Sequence, residues 1–233
     1  MSQQVQRTRP RRNVRIAIVE DHTLFAESLD LALAMEQYDV RRVPVTELGT
    51  PRAVLTAVLR MRPDIVLLDL DLGDLGDGGR LVTPLARSGA AVVVVTASPD
   101  QARWGECLWY GARKVISKGR PLNEILATIR RLSQGLSVTN LQERDELLQA
   151  WQSNRREHEA LRANLDRLTA RESQVLGQLM EGRTVTDIAA ASVVSVATVR
   201  TQVKSILAKL EVSSQLAAVG LAHAADWHPP RSA

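Results

Sequence analysis

The sequence predicts an α/β domain with a parallel sheet, followed by a domain built only from helices. Three observations support this prediction. Apolar segments alternate with amphipathic ones from Val14 to Gln134, runs such as "IVLL" and "AVVVVT" are apolar throughout, and only helical patterns follow. Strands that are apolar throughout are typical of parallel sheets covered by helices on both faces. The first part is therefore predicted to be a doubly wound (βα)5 domain.

Five strands and five helices alternate in this prediction. The strands are expected at residues 16–19, 40–45, 65–68, 91–95 and 114–116, and the helices near residues 24–36, 50–61, 79–88, 100–110 and 121–134. Thr50 and Pro51 mark a clear helix start, because threonine can cap a helix and proline fits its first position. Connections this short and regular are typical of βα units.

A charged segment at residues 137–168, free of Gly and Pro, has a helical pattern, and "NLQE" at residues 140–143 is a capping box. Two interpretations of this helix are open. It packs on the first domain of its own chain, or it forms a dimeric coiled coil in which Asn154 sets the register and His158 confers pH sensitivity. The spacing of four and three residues typical of a coiled-coil seam runs through Leu147, Trp151, Asn154, His158, Leu161, Leu165 and Leu168.

Composition narrows the class of protein. A chain of 233 residues fits two domains, and only 3% aromatic residues means that both cores are aliphatic. The single cysteine, Cys107, excludes an intrachain disulfide and a cysteine metal cluster, and no apolar run approaches the roughly 20 residues of a membrane helix. We expect a cytoplasmic protein with no membrane partner. The net charge of +4 is matched by four arginines of a basic tail, Arg7, Arg9, Arg11 and Arg12, which is predicted to be disordered.

Polar and charged residues follow the predicted strands. Glu20 and Asp21 follow the first strand and Asp69 ends the third. Thr96 ends the fourth strand, and Lys118 lies just past the fifth. Because the carboxyl ends of parallel strands meet at one edge of the sheet, these side chains should converge there. Three carboxylates together favour a divalent cation, and Mg²⁺ suits their oxygens. Asp69 is then the best candidate nucleophile toward a phosphorylated donor.

The segments "IAIVEDHTLFAESL", "DIVLLDLDLGDLGDGG", "VVVVTAS" and "GARKVISK" resemble the receiver domains of response regulators across residues 15–134. The resemblance implies a flavodoxin-like fold in which a histidine kinase phosphorylates Asp69. It also implies that the Thr96 hydroxyl follows the phosphoryl group and that Lys118 pairs with it. The implied ligands of Mg²⁺ are Glu20, Asp21, Asp69 and the backbone carbonyl of Asp71. Gly73 replaces a frequent proline, which implies a more mobile loop, and Val115 replaces a frequent switching aromatic residue.

A basic helix is predicted at residues 195–210, with Arg200, Lys204 and Lys209 and no acidic residue. The segment from Leu168 to Val212 resembles the LuxR-type helix-turn-helix. That resemblance implies that Arg200, Thr201 and Lys204 enter the major groove of double-stranded DNA, and that Thr184, Gln202 and Lys209 contact phosphates or position the helix. Four residues are predicted to form the scaffold of the two-helix unit: Thr186, Ile188, Ala189 and Val193. The final helix, at residues 213–225, is expected to supply a dimer contact through Leu216 and Val219.

Together the two resemblances imply a transcriptional response regulator of the NarL/FixJ type, which acts as a homodimer and is not a conventional enzyme. Its predicted parts are a basic tail (1–13), a receiver (14–135), a helical linker (136–168), a DNA-binding domain (169–226) and a disordered tail (227–233). Three alternatives are open: a constitutive dimeric transcription factor that does not need phosphorylation, a Mg²⁺-dependent aspartyl phosphatase, and a protein-binding adaptor.

Overall fold

The computed structural model describes residues 14–229, so the predicted basic tail and the last four residues lie outside the described part. The chain divides into two compact units between Gln152 and Ser153. None of the helices in residues 14–229 is long and apolar enough to cross a membrane.

Five parallel strands form the sheet of the first unit, in the order β2-β1-β3-β4-β5. This order has one topological switch point, between β1 and β3, as in flavodoxin-like folds. The strands are β1 (Arg15–Val19), β2 (Asp39–Arg42), β3 (Ile65–Leu68), β4 (Ala91–Thr96) and β5 (Lys114–Ser117).

Both faces of the sheet are covered. Along β3, Ile65 and Leu67 belong to one buried apolar cluster, whereas Val66 and Leu68 belong to another. Successive side chains of a strand point to opposite faces, so these two clusters are the two layers of core between sheet and helices. The layers are supplied by α1 (Thr23–Met35), α2 (Val45–Leu48), α3 (Pro51–Met61), α4 (Val82–Arg87), α5 (Gln101–Trp109) and α6 (Leu122–Ser133).

Two local predictions differ from the structure. The second strand ends at Arg42, three residues earlier than predicted, and Val45–Leu48 forms the short α2 instead. Pro44 lies between them and has no N–H for a sheet hydrogen bond. The helix predicted at residues 79–88 begins as a 3₁₀ turn at Gly78–Leu81 and becomes α-helical only at Val82. The other predicted elements of this unit agree with the structure within one or two residues.

The helix α7 (Leu141–Asp166) begins in the first unit and ends in the second. Asn140 Oδ1 accepts hydrogen bonds from the backbone N–H groups of Gln142 (3.0 Å) and Glu143 (3.5 Å), as the capping motif predicts. Leu147 and Trp151 are buried in the first unit, and Leu165 and Leu168 in the core of the second. Between them, Asn154 is exposed and His158 and Leu161 are half-buried. The buried ends of the predicted seam thus pack within the chain.

Four helices complete the second unit: α8 (Ala170–Met180), α9 (Val185–Ala191), α10 (Val196–Lys209) and α11 (Gln215–Ala224). Thr169 caps α8 and Thr184 caps α9, each in a reciprocal capping box with an acidic residue three positions later. Trp227 packs against the core of this unit, and Pro229 lies beside Gly177. The first residues of the predicted C-terminal tail are therefore packed against the domain.

Candidate functional site

An acidic pocket lies at the carboxyl edge of the sheet in the first unit. Glu20 and Asp21 follow β1 and Asp69 follows β3, so the parallel topology brings the three carboxylates together. One ligand atom from each of Glu20, Asp21, His22 and Asp69 lies within 4.8 Å of the others. The sequence prediction of convergence is thus confirmed for the three acidic residues, and His22 joins them.

Lys118 holds two of these carboxylates. Its Nζ donates to Asp69 Oδ2 at 2.7 Å and to Glu20 Oε1 at 2.8 Å. Burial by itself would lower the pKa of Lys118, but the hydrogen bonds to Asp69 and Glu20 outweigh burial and raise it. Burial, with the nearby charge of Asp69, raises the pKa of Glu20 above its ordinary value. The pocket therefore keeps a protonated lysine against a nearly buried aspartate, of which 2% is exposed.

Sequence analysis did not single out His22. Its Nδ1 lies 2.9 Å from Asp21 Oδ1 and 3.2 Å from Glu20 Oε1, and the charge of Asp21 raises the pKa of the imidazole. The feature of the sequence that could have identified His22 is its position directly after two acidic residues. Asp21 Oδ1 is closed to solvent, and the His22 Nδ1 beside it forms an ion pair without the geometry of a hydrogen bond. Such an oxygen has capacity for a further ligand.

Thr96 ends β4 as predicted and is buried. Its Oγ1 accepts a hydrogen bond from the backbone N–H of Ser98 at 3.1 Å. The backbone N–H of Lys118 donates to the carbonyl oxygen of Thr96 at 2.7 Å, so β5 and β4 remain in register where the sheet ends. Thr96, Lys118 and Asp69 thus lie at one edge of the sheet, on adjacent strands.

The loop after Asp69 folds back against it. The N–H of Asp71 donates to Asp69 Oδ1 at 3.2 Å, and Gly78 packs so tightly that an added Cβ would overlap the carbonyl oxygen of Asp69. Gly73 has φ +59°. Proline cannot adopt a positive φ, so this backbone shape explains the absence of the frequent proline. An added Cβ at Gly73 would also lie 3.0 Å from Asp21 Oδ2.

Arg103 of α5 reaches this loop and was missed by sequence analysis. Its Nη2 donates to Asp77 Oδ1 at 2.6 Å and to the carbonyl oxygen of Leu70, the residue after Asp69, at 3.0 Å. No periodicity or motif marks it, since its partners are 26 and 33 residues away. The guanidinium thus ties the loop after Asp69 to α5, the helix that follows Thr96.

The second candidate site is the exposed face of α10. Val199, Val203 and Ile206 are buried, whereas Arg200, Thr201 and Lys204 are exposed on the other side of the helix. Thr201 Oγ1 donates back to the carbonyl oxygen of Ala197 at 3.0 Å. Two cations and a hydroxyl on one exposed side of a helix match the requirement for a helix that enters the major groove.

The other predicted DNA contacts have partners within the unit or are partly enclosed. Lys209 Nζ lies 2.6 Å from Glu172 Oε2, and Thr184 Oγ1 donates to Asp187 Oδ2 at 2.6 Å. Gln202 is half-buried, and its Oε1 accepts no hydrogen bond from the described residues. Lys209 therefore already ties α10 to α8, and Thr184 already caps α9.

Some of the residues predicted to form the scaffold or the dimer contact are buried in the second unit, and others are exposed. Ile188 and Ala189 are buried as predicted, but Val193 is 92% exposed with φ +53° in the turn between α9 and α10, and Thr186 is exposed. On α11, Leu216 is 82% exposed, whereas Val219 packs against the core.

Comparisons with known proteins agree with the division of the chain into two units. Residues 16–130 match the family model of the response regulator receiver domain, and residues 166–222 match that of bacterial regulatory proteins of the LuxR family. The response regulator protein VraR of Staphylococcus epidermidis is 26% identical over 208 residues, 88% of this chain and 94% of VraR. The uncharacterized transcriptional regulatory protein YhcZ of Bacillus subtilis is 27% identical over 204 residues, 87% of this chain and 92% of YhcZ.

One similar solved structure is that of RcsB from Salmonella enterica serovar Typhimurium, bound to promoter P1flhDC in the presence of phosphomimetic BeF₃⁻. Its TM-score is 0.49 at 23% sequence identity, and the match covers 90% of this chain and 97% of RcsB. The two family models together match more than two thirds of the chain, in the order receiver and then LuxR-type domain. This chain belongs to the response regulators of the NarL/FixJ type, which regulate transcription by binding DNA.

Proposed function

We propose that Asp69 accepts a phosphoryl group from a histidine kinase and that this modification controls DNA binding by a dimer. The observation that carries the proposal is the pairing of the buried Asp69 carboxylate with Lys118 beside Glu20 and Asp21. A buried carboxylate with a fixed cation is oriented for attack, and the cation offsets charge on the transferring oxygens.

The transfer is written in terms of bonds. Asp69 Oδ1 or Oδ2 forms a new O–P bond as the P–N bond of the donor phosphohistidine breaks, and the leaving imidazole takes a proton from solvent. Lys118 now shares its ammonium between Glu20 and Asp69 and can turn toward the phosphoryl oxygens. The Thr96 hydroxyl, which accepts from Ser98, keeps its own proton for the same oxygens.

The acidic pocket fits Mg²⁺. Three of the four clustered groups are carboxylates, which supply hard oxygen ligands, and Asp21 Oδ1 is closed to solvent with only an ion pair to His22 among the described residues. Glu20, Asp21, Asp69 and the backbone carbonyl of Asp71 would hold the ion. Bound there, Mg²⁺ would offset negative charge on the phosphoryl oxygens.

We propose that α10 enters the major groove. Arg200 and Thr201 would contact base edges and Lys204 a base or phosphate, while Gln202, Lys209 and Thr184 would position the helix or meet phosphates. Loss of Arg200 should cost about 1–3 kcal/mol and relax base preference, and loss of a phosphate-contacting lysine should lower the salt slope of affinity by about 1.

The exposed Leu216 of α11 supports a dimer contact through that helix. Paired recognition helices would then meet half-sites about 10 bp apart. The alternative seam through α7 has less support, because Leu147, Trp151, Leu165 and Leu168 are buried within the chain. Asn154, His158 and Leu161 remain as candidates for contact between two α7 helices.

The phosphorylation step is tested by incubating the full chain with Mg²⁺ and acetyl phosphate and measuring intact mass. We expect one phosphoryl group on the wild type and none on Asp69→Asn. Asp74→Asn, which removes an exposed acid from the same loop, should still be modified. A wild type that gains no mass, or an Asp69→Asn protein that gains as much, contradicts the proposal.

The DNA contacts are tested by fluorescence anisotropy titrations with duplex fragments of the genome at several salt concentrations. Arg200→Ala and Lys204→Ala should weaken binding, whereas Arg87→Ala, an exposed charge of the receiver, should not. Equal affinities for all four proteins would rule out α10 as the DNA reader.

A further inference from the structure

A cavity of about 400 Å³ lies between α5 and the segment formed by the 3₁₀ turn Gly78–Leu81 and the start of α4. One wall of the cavity is a single side of α5. Arg103, Glu106, Cys107 and Tyr110 follow one another at the three- and four-residue spacing that places side chains together on a helix. The volume lies within the range of about 300–1,000 Å³ that is usual for sites of small molecules. The cavity therefore has room for a ligand as it stands.

Direct contacts join the two walls at both ends of the cavity. At one end Arg103 Nη2 donates to Asp77 Oδ1 at 2.6 Å, and at the other Thr83 Oγ1 donates to the carbonyl oxygen of Tyr110 at 3.5 Å. Arg103 and Tyr110 are seven residues apart, which corresponds to about 10 Å along a helix axis. An occupant would therefore be a molecule no longer than about 10 Å.

Two side chains of opposite charge line the cavity between these ends. Arg80 comes from the 3₁₀ turn and Glu106 from α5. Through their side chains, neither forms a hydrogen bond or an ion pair with any residue from 14 to 229. Arg103 and Asp77 already neutralise each other. Arg80 and Glu106 are thus the charges available to an occupant.

The surroundings of Glu106 favour a cation beside it. Although this residue is exposed at the mouth of the cavity, partial burial and the charges of Asp77 and Asp100 raise the pKa of its carboxyl, and the charge of Arg103 opposes them. A cationic group on a ligand would offset the repulsion between these carboxylates. The neighbouring Cys107 is different, because burial raises the pKa of its thiol to about 12 and leaves it uncharged at neutral pH. It contributes an apolar part of the wall.

We propose that this cavity is a binding site for a small zwitterion with an apolar side chain, the chemistry of a free α-amino acid. Its carboxylate would pair with Arg80 and its ammonium group with Glu106, while the apolar side chain would lie against Cys107 and Tyr110. Charge-assisted hydrogen bonds of guanidinium to carboxylate are among the stronger polar contacts in proteins. A ligand with both charges therefore gains two contacts where a ligand with one charge gains a single contact. This inference goes beyond the proposed function and does not depend on phosphorylation.

Isothermal titration calorimetry of the full chain tests the proposal with three ligands of similar size. L-Phenylalanine has both charges, 3-phenylpropionate has only the carboxylate, and phenethylamine has only the ammonium group. L-Phenylalanine should bind at one site with a dissociation constant on the order of 1 mM or lower, and at least about tenfold more tightly than either other ligand. Absence of saturable binding at about ten times that concentration, or equal affinity for all three ligands, overturns the proposal.

Two variants assign each charge of the ligand to its side chain. Arg80→Gln should bind L-phenylalanine no more tightly than phenethylamine, and Glu106→Gln should bind it no more tightly than 3-phenylpropionate. The matched controls are Arg87→Gln on α4 and Glu47→Gln on α2, both exposed, which should keep the wild-type preference. If Arg80→Gln or Glu106→Gln keeps the full preference for L-phenylalanine, the ligand binds elsewhere and the proposal is wrong.

Discussion

Substitution of Glu172 by glutamine should destabilise the second unit at neutral pH. Glu172 Oε2 accepts from the N–H of Thr169 at 2.7 Å and from Lys209 Nζ at 2.6 Å, and Oε1 accepts from Ser205 Oγ at 2.7 Å. Burial opposes the charged form, but these hydrogen bonds, led by that of Lys209, outweigh it and lower the pKa of Glu172 from 4.5 to about 2. A glutamine N–H₂ in place of Oε2 would face two donors.

The magnitude follows from the pKa. A pKa of about 2 in place of 4.5 corresponds to about 3 kcal/mol of preference for the charged form, and solvent screening reduces the net contribution to about 1–2 kcal/mol. Because the folded pKa is lowered, this stability is present above about pH 4.5 and is lost as pH falls toward about 2. Between pH 5 and pH 3 the contribution should fall to less than about half.

Urea unfolding of the full chain, followed by far-ultraviolet circular dichroism, measures the effect. Glu172→Gln should lower the free energy of unfolding by about 1–2 kcal/mol at pH 7 and by less than half as much at pH 3. The control is Glu181→Gln, whose exposed pair with Arg183 should contribute less than about 0.5 kcal/mol. Equal stabilities of the two variants at pH 7, or an undiminished difference at pH 3, would refute the reasoning.

Three further predictions concern single side chains. Burial raises the pKa of the Cys107 thiol to about 12, so the native protein should react with iodoacetamide at pH 7 at least about tenfold more slowly than urea-unfolded protein; equal rates would contradict this. Leu165→Ala should cost about 2–5 kcal/mol in urea unfolding, because this side chain is 1% exposed in the core of the second unit. Gly73→Ala should slow the gain of a phosphoryl group, measured by intact mass, because a Cβ at φ +59° is strained and faces Asp21. The control is Gly49→Ala, which has similar φ strain but open space around the Cβ and should leave the rate unchanged.

Much of the receiver could be predicted from sequence because its signals are local. Apolar runs mark β3 and β4, and strand ends locate Asp69, Thr96 and Lys118 before any contact is known. The short helix Val45–Leu48 was missed, since four residues carry no helical period and the apolar residues around Pro44 resemble a strand. Arg103 was missed for a different reason, namely that its partners are set by tertiary folding.

The seam predicted in α7 shows a limit of periodicity. Leu147 and Trp151 are buried against the sheet and α5 of the first unit, whereas Leu165 and Leu168 are buried in the second. Two separate cores on one long helix produce the same four-three spacing as a coiled coil. Similarly, Lys204 and Lys209 are two lysines of one predicted helix, and the sequence does not distinguish them. In the structure Glu172 pairs with Lys209 and not with Lys204, although it lies 37 residues before Lys209 in the chain.

The central claim is that phosphorylation of Asp69 controls DNA binding by α10. The most direct test is an anisotropy titration of one duplex that carries two half-sites, using wild type and Asp69→Asn, each with Mg²⁺ and with or without acetyl phosphate, at fixed salt. Intact mass is measured on every sample. We expect the phosphodonor to tighten binding by at least about tenfold, or about 1.4 kcal/mol, in the wild type only. Equal affinity in all four samples, with the wild type fully phosphorylated, would contradict the claim and favour a constitutive DNA-binding dimer.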